Sequence, residues 1–217
     1  MRMRILYASE RPPYPFFLGG AVRCAHMLLH GMARDLAMEC MAVGSSDYGV
    51  TPWTYPPAQD YGALGIHTPP PPLPAGDDRP VLDCGYPVQL LPDFLSSLGP
   101  FLDAYKPDLV WAQLEGALEV LEIARGKGVK GLYFVHDAEF DLAELRAVVR
   151  LGCTLVASSR FLAGKALAAT GQRAHVVYPP MNLFFDTRGD AQGFVTLINA
   201  HKVKGLDTFL EVARRLP

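Results

Sequence analysis

Short apolar runs alternate with stretches of helical spacing along most of this chain. Runs rich in β-branched and aromatic residues, each ended by polar residues, glycine or proline, predict strands. They cover residues 4–9, 39–44, 109–112, 130–135, 153–157 and 174–178. Apolar residues three and four positions apart predict helices between them, at residues 21–36, 93–105, 116–125, 138–150 and 161–170. Strands separated by such helices need right-handed crossovers, which predicts a Rossmann-like doubly wound parallel sheet with helices on both faces.

The same pattern divides the chain into three parts. Residues 1–180 predict one complete α/β domain, 181–192 a connector, and 193–217 a strand followed by a helix. Asp93 is the expected N-cap of the second helix, and Gly171 is expected to end the fifth. A single strand–helix unit cannot cover both faces of its strand. The last part is therefore expected either to extend the first sheet or to begin a second domain.

A proline-rich stretch interrupts the alternation of strands and helices. Nine of the 19 prolines lie between Thr51 and Pro80, including the run Pro69–Pro74. We interpret this stretch as a long surface excursion between strands. The alternative is a polyproline II segment that binds an aromatic-lined groove, which would make the chain an interaction protein.

Composition and charge exclude several classes of protein. The chain has 217 residues, 50% of them hydrophobic, which is enough to bury a sizeable core without disulfides or metal. Its 20 basic and 22 acidic residues give a net charge of −2 without charged runs, which disfavours a nucleic-acid binder. No apolar stretch reaches the length of a membrane span, and the N-terminus does not resemble a signal peptide. Four well-separated cysteines (24, 40, 84 and 153) predict reduced, buried thiols in a cytoplasmic protein.

Chemically active residues follow three of the predicted strands. Ligands of doubly wound sheets bind beyond the carboxyl ends of the strands, where Gly19–Gly20, His136–Asp137 and Ser158–Ser159 are expected. Glycine at a helix start allows backbone N–H groups to approach an anion, although a tight turn alone also explains the pair. His136 could transfer a proton or bind a sugar hydroxyl, but a lone histidine is more often structural.

Two further sets of residues bear on the chemistry. Lys204, before the last predicted helix, could bind a diphosphate as a point charge, or it could be an ordinary surface lysine. His26 and His30 lie four residues apart without an apparent third ligand, so no metal site is expected.

Six stretches, in this order, resemble the retaining GT-B glycosyltransferases of family four, also called glycosyltransferase group 1. They are Arg4-Ile5-Leu6-Tyr7 running to Gly19-Gly20-Ala21-Val22-Arg23, Lys106-Pro107-Asp108-Leu109-Val110-Trp111-Ala112, Tyr133-Phe134-Val135-His136-Asp137, Val156-Ala157-Ser158-Ser159-Arg160-Phe161-Leu162, Val176-Val177-Tyr178-Pro179-Pro180 and Lys204-Gly205-Leu206-Asp207-Thr208-Phe209-Leu210. Each stretch alone is a weak signal, and the specificity lies in their shared order over nearly the whole chain.

The resemblance implies two Rossmann-like domains that face each other across a cleft. The N-terminal domain binds a sugar, lipid or small-molecule acceptor, and the C-terminal domain binds most of a nucleoside-diphosphate sugar. Gly19 and Gly20 would then lie near the donor diphosphate, His136 would be the active-site histidine, and Lys204 would neutralise the leaving diphosphate. No metal and no other cofactor is implied. The acceptor-side candidates are Arg11, Tyr14, Arg23, Asp137 and Ser158.

Two departures from the family pattern limit what this chain is expected to do alone. Asn199-Ala200-His201 stands where the family usually has an arginine, and the family's paired glutamates would fall beyond residue 217. We therefore expect the chain to supply mainly the acceptor-binding half of a retaining transferase, and to have little activity without a C-terminal domain or partner chain.

The sequence also leaves other interpretations open. They are a non-catalytic nucleotide- or glycan-binding module, one half of a two-chain enzyme, and an interaction protein that uses Pro69–Pro74. A related GT-B sugar-nucleotide epimerase is less favoured by the motifs. Homo-oligomers and peripheral membrane contact are also left open.

Overall fold

A computed structural model describes residues 2–17, 19–48, 81–180 and 206–215. The chain divides into two compact units, Met1–Pro180 and Met181–Pro217. The described part of the first unit contains eight strands: β1 (Arg4–Ser9), β2 (Glu39–Ser45), β3 (Leu82–Asp83), β4 (Pro87–Leu91), β5 (Leu109–Ala112), β6 (Lys130–Val135), β7 (Thr154–Ala157) and β8 (His175–Val176). Its helices are α1 (Gly20–Asp35), α2 (Phe94–Tyr105), α3 (Ala117–Gly126), α4 (Leu142–Arg150) and α5 (Arg160–Thr170).

All eight strands form one sheet, in the order β3-β4-β2-β1-β5-β6-β7-β8. Every neighbouring pair is parallel except β3 and β4, which form an antiparallel edge. The central strands are buried almost throughout, as expected where helices cover a parallel sheet. The predicted Rossmann-like doubly wound α/β fold is therefore confirmed.

Alternate residues of the strands point into two apolar cores, one on each face of the sheet. Helix α1 packs on one face, where Leu29 and Val22 join Ile5 and Tyr7 of β1. Helices α2 to α5 pack on the opposite face, with Leu98, Leu121, Leu145 and Leu162 among the buried residues. Because α1 follows β1 and α3 follows β5, the two neighbouring strands send their helices to opposite faces. This reversal creates a crevice at their carboxyl ends, which is the usual ligand position in such sheets.

Strands β3 and β4 were not predicted from the sequence. Strand β3 has only two residues, and Gly85 (φ +79°) makes the turn that returns the chain to β4. Strand β4 is buried at Val88–Leu91, but the polar Gln89 interrupts its apolar run. The hairpin extends the sheet beyond β2 and closes the edge of the core that contains α1.

One predicted helix start and one predicted cap need correction. Helix α4 begins at Leu142 and not at Ala138, because the Asp141 carboxylate accepts hydrogen bonds from the N–H groups of Ala143 (2.7 Å) and Glu144 (3.4 Å). Asp93 does precede α2, but its backbone is left-handed (φ 43°) and its side chain makes no capping bond. The last strand is also shorter than predicted, since β8 covers only His175–Val176. Gly171 ends α5 in the expected left-handed conformation (φ 78°).

Several predictions lie outside the described residues. These are the proline-rich stretch 51–80, the connector 181–192, the strand predicted at 193–199, and Lys204. The second unit is described only at helix α6 (Leu206–Arg215), which has no buried residue. Within the described residues, none of the helices is sufficiently long and apolar to cross a membrane.

Gly131 offers a test of packing between the sheet and α3. A Cβ at this position of β6 would lie 2.6 Å from Cys153 Sγ and 2.9 Å from Leu121 Cδ2, both buried. We expect Gly131→Ala to lower the free energy of unfolding by about 1–3 kcal/mol, the usual effect of overpacking. Gly164→Ala is the control, since no atom lies within 4 Å of a Cβ at this exposed position of α5. It should stabilise the protein by about 0.5–1 kcal/mol. Urea unfolding measures both, and equal effects would contradict the packing of β6 on α3.

Candidate functional site

The loops that follow β1 and β5 meet at the crevice where the two helices diverge. The Arg11 guanidinium forms an ion pair with Glu115. A Cβ at Gly116, whose φ is +71°, would collide with the Glu10 side chain. The β1 loop also lies close to β2, since a Cβ at Gly44 would be 3.0 Å from the Arg11 carbonyl oxygen. Close packing thus fixes the position of the segment that leads from β1 to α1.

A buried glutamine connects this crevice to the neighbouring elements. Gln113 follows β5 and is 0% exposed. Its Nε2 donates hydrogen bonds to the Tyr7 hydroxyl (3.2 Å) and to the Ala21 carbonyl oxygen (3.0 Å). Its Oε1 is 2.8 Å from Nε2 of His136. One amide therefore joins β1, the first turn of α1 and the carboxyl end of β6.

His136 is half-buried at the end of β6. Its ring stacks on Phe134, with 4.2 Å between the ring centroids and 30° between the planes. Burial lowers the pKa of His136 to about 4, and the nearby Asp137 carboxylate opposes this shift only in part. The imidazole is therefore neutral at pH 7, and it can exchange hydrogen bonds with a ligand without carrying charge.

The two predicted glycines begin α1, and they differ in their packing. A Cβ at Gly19, the N-cap, would lie 2.5 Å from Cε1 of Phe17, whereas a Cβ at Gly20 would meet no atom within 4 Å. The helix has no side-chain cap and no acidic residue in its first turn. The first backbone hydrogen bond of the helix is donated by the Arg23 N–H to the Gly19 carbonyl oxygen. The N–H groups of the residues just before Arg23 are therefore directed out of the helix end. This end of α1 is electrostatically suited to an anion.

Two cavities adjoin β6. An apolar one of about 140 Å³ is lined by Leu132 and Phe134 among others. A polar one, the acidic cavity, adjoins His136. It has a volume of about 190 Å³. Aromatic side chains form part of its wall, and five carboxylates lie around it: Glu115, Asp137, Glu139, Asp141 and Glu144. Burial, with neighbouring carboxylates adding to it, raises the pKa of Glu144, which accepts a hydrogen bond from the Tyr133 hydroxyl (3.4 Å). Such a cavity favours hydroxyl groups or cations and disfavours phosphate.

No group of three or more histidine, cysteine or acidic side chains within the described residues has an arrangement that could hold a metal ion. The four cysteines are buried, free thiols. Burial raises the pKa of Cys24 and Cys40 to about 11, so neither is a thiolate at neutral pH.

The predicted acceptor-side residues fall into two groups. Arg11 lies at the crevice, where its guanidinium is 4.8 Å from the Phe17 ring centroid. Asp137 lies at the acidic cavity. The second group is Tyr14, Arg23 and Ser158. Tyr14 is buried and stacks on His26, with 4.0 Å between the ring centroids, and Arg23 is exposed on α1. The Ser158 N–H donates a hydrogen bond to the Val135 carbonyl oxygen (3.1 Å). Within the described residues, no hydrogen bond or ring contact joins this second group to His136.

Sequence reasoning missed Gln113 and Glu115. Gln113 comes directly after the buried strand β5, as His136 comes after β6, and Glu115 follows two residues later. The criterion that selected His136, a polar residue at the carboxyl end of a buried strand, also applies to Gln113. The signal is therefore present in the sequence, since a polar residue directly follows the apolar run of β5.

Comparisons with known proteins add little to this geometry. No protein-family model and no curated protein matches the sequence. Among solved structures, MurG of Acinetobacter baumannii is similar at 11% identity and a TM-score of 0.47, over 88% of this chain and 50% of that chain. The Streptomyces sp. SF2575 glycosyltransferase SsfS6 is similar at 14% identity and a TM-score of 0.34, over 72% and 50%. A phenylacrylic acid decarboxylase from Aquifex aeolicus is similar at 17% identity and a TM-score of 0.37, over 73% and 82%.

These structural similarities carry no argument about function, because every TM-score is below 0.5. This chain spans about half the length of the MurG chain.

The low pKa of His136 makes stability depend on pH. The unfolded histidine has a pKa near 6.5 and the folded one about 4, so between these values the unfolded chain binds more protons. We expect the free energy of unfolding to fall as the pH decreases from 7 to 5, with His136 contributing up to about 2 kcal/mol. Urea unfolding of His136→Gln at both pH values should show a smaller decrease than the wild type. His175→Gln, at an exposed position, should behave like the wild type; equal slopes for all three proteins would exclude a buried neutral His136.

Proposed function

We propose that this chain takes part in glycosyl transfer from a nucleoside-diphosphate sugar to a hydroxyl-bearing acceptor. The observation that carries the proposal is the hydrogen-bonded bridge through Gln113, from the first turn of α1 to His136. Gly19 and Gly20 are the residues that the family resemblance associates with the diphosphate, and His136 is the one it associates with the sugar. The bridge joins them at the crevice between β1 and β5.

The electrostatics of the two sides support this assignment. The uncapped N-terminus of α1 attracts negative charge, and the carboxylates around the acidic cavity repel it. A bound molecule with a phosphate group and hydroxyl groups would therefore have one favoured orientation. Its phosphate would lie toward α1 and its hydroxyl groups toward β6. Neutral His136 lies beside the second position, where it can bind a hydroxyl group.

The finer parts of the proposal rest on the sequence motifs. They are membership of the retaining family-four transferases, an acceptor-binding role for residues 1–180, and a donor-binding role for the part that follows. In this scheme Lys204 neutralises the leaving diphosphate, whose developing charge is the main electrostatic demand of the reaction. Efficient turnover would then require a complete donor-binding domain, in the same chain or from a partner.

Gly20 provides a test of the phosphate position. Gly20→Asp places a carboxylate at the N-terminus of α1, where it should stabilise the helix by about 0.3–1 kcal/mol yet repel a phosphate. We expect this variant to bind nucleoside diphosphates at least ~10-fold more weakly than Gly20→Asn, which has nearly the same size and no charge. Calorimetry with UDP, GDP and ADP measures the binding. Equal affinities of the two variants would place the diphosphate elsewhere, and no binding of any nucleotide by the wild type would reject a donor site on this chain.

His136 provides the test of the sugar position. In the transferase that contains this chain, we expect His136→Ala to lower the rate of sugar transfer by ~100-fold or more, as losses of positioned polar groups do. Transfer of a radiolabelled sugar measures the rate. His175→Ala serves as the control, because this histidine is exposed on β8. A rate unaffected by His136→Ala would remove this residue from the site.

A further inference from the structure

We propose that Gln113 is a positioning residue that fixes the His136 imidazole in the tautomer with hydrogen on Nε2, so that Nδ1 is left as a hydrogen-bond acceptor. The described contacts determine this tautomer in two steps. Each step depends on a group that can only accept or only donate a hydrogen bond.

The first step fixes the orientation of the Gln113 side chain. The group at the end of this side chain that lies 3.0 Å from the Ala21 carbonyl oxygen must be the amide NH₂, because a carbonyl oxygen accepts hydrogen bonds and cannot donate them. The reverse orientation would place two carbonyl oxygens against each other. The amide oxygen of Gln113 must therefore be the atom that faces His136.

The second step fixes the proton on the imidazole. The Gln113 oxygen is 2.8 Å from His136 Nε2, and an amide oxygen can only accept a hydrogen bond. Nε2 must therefore carry the hydrogen. In a neutral imidazole the other nitrogen, Nδ1, then has no hydrogen and presents a lone pair. Within the described residues, no group donates a hydrogen bond to Nδ1.

The surroundings hold both side chains in place. The Gln113 amide makes three hydrogen bonds, two through its nitrogen and one through its oxygen. Its side chain is 0% exposed. Rotation of the amide would break these bonds in a place that water does not reach. The stacked Phe134 ring, at 4.2 Å, restricts the tilt of the imidazole.

This inference deepens the proposed function and, where it concerns the ligand, rests on it. A neutral imidazole held in this tautomer can accept a hydrogen bond from a sugar or acceptor hydroxyl. It offers no N–H at Nδ1 to a phosphate oxygen. The tautomer therefore selects the hydroxyl-bearing part of a nucleotide sugar for the His136 side, in agreement with the acidic character of the cavity there.

Nitrogen-15 NMR of the histidine rings in the full chain at pH 7 tests the tautomer without any ligand. In the wild type we expect His136 to show a protonated Nε2 and an unprotonated Nδ1. Tyr7→Phe removes one partner of Gln113 but neither of the contacts that fix the tautomer, so the same spectrum is expected. Gln113→Leu removes the acceptor for Nε2–H, and we expect the two tautomers of His136 then to be populated together.

The outcomes separate this inference from the proposed function. A wild-type spectrum with hydrogen on Nδ1 would overturn the inference, and this measurement needs no variant to fold. A folded Gln113→Leu with the wild-type ratio of tautomers would overturn the role of Gln113. An unchanged rate of sugar transfer in His136→Ala would reject the sugar position of the proposed function and leave the tautomer as assigned.

Discussion

The hydrogen bonds of the Gln113 side chain are the interaction on which the candidate site depends. An unpaired amide at a position with 0% exposure would be costly, so its partners have to be in place whenever the chain is folded. Those partners belong to β1, α1 and the segment after β6, which are far apart in sequence. Because leaving this amide unpaired would be unfavourable, its hydrogen bonds keep the start of α1 beside the His136 ring. The position of the site is set by the core and not by flexible surface loops.

The sheet topology explains why this position is also suited to a ligand. Helix α1 leaves β1 on one face and α3 leaves β5 on the other, so the carboxyl ends of the two strands are not covered by a crossover. The ion pair between Arg11 and Glu115 spans this opening. The two ends of the site differ in charge, because α1 begins without an acidic residue whereas the β6 side is rich in carboxylates.

Much of the fold could be predicted from the sequence, because the central strands are buried on both faces and appear as uninterrupted apolar runs. Strands β1, β5 and β6 were placed with the bounds that the structure shows. The β3–β4 hairpin was missed because a two-residue strand and a buried Gln89 leave no periodic signal. The site was harder to predict. Two contacts of Gln113 join residues 106 and 92 positions apart. The late start of α4 depends on a cap by Asp141. Because α4 starts only at Leu142, residues 139–141 are part of the loop that lines the acidic cavity.

Among the described residues, the two outermost strands of the sheet are β3 and β8, and their shortness bears on the behaviour of the protein in solution. Each is only two residues long, and β3 also runs antiparallel to its neighbour. A sheet edge recruits strands from other molecules through its unpaired N–H and C=O groups, and edges this short present few of them. The apolar inner strands of the sheet are thereby prevented from acting as a template for aggregation.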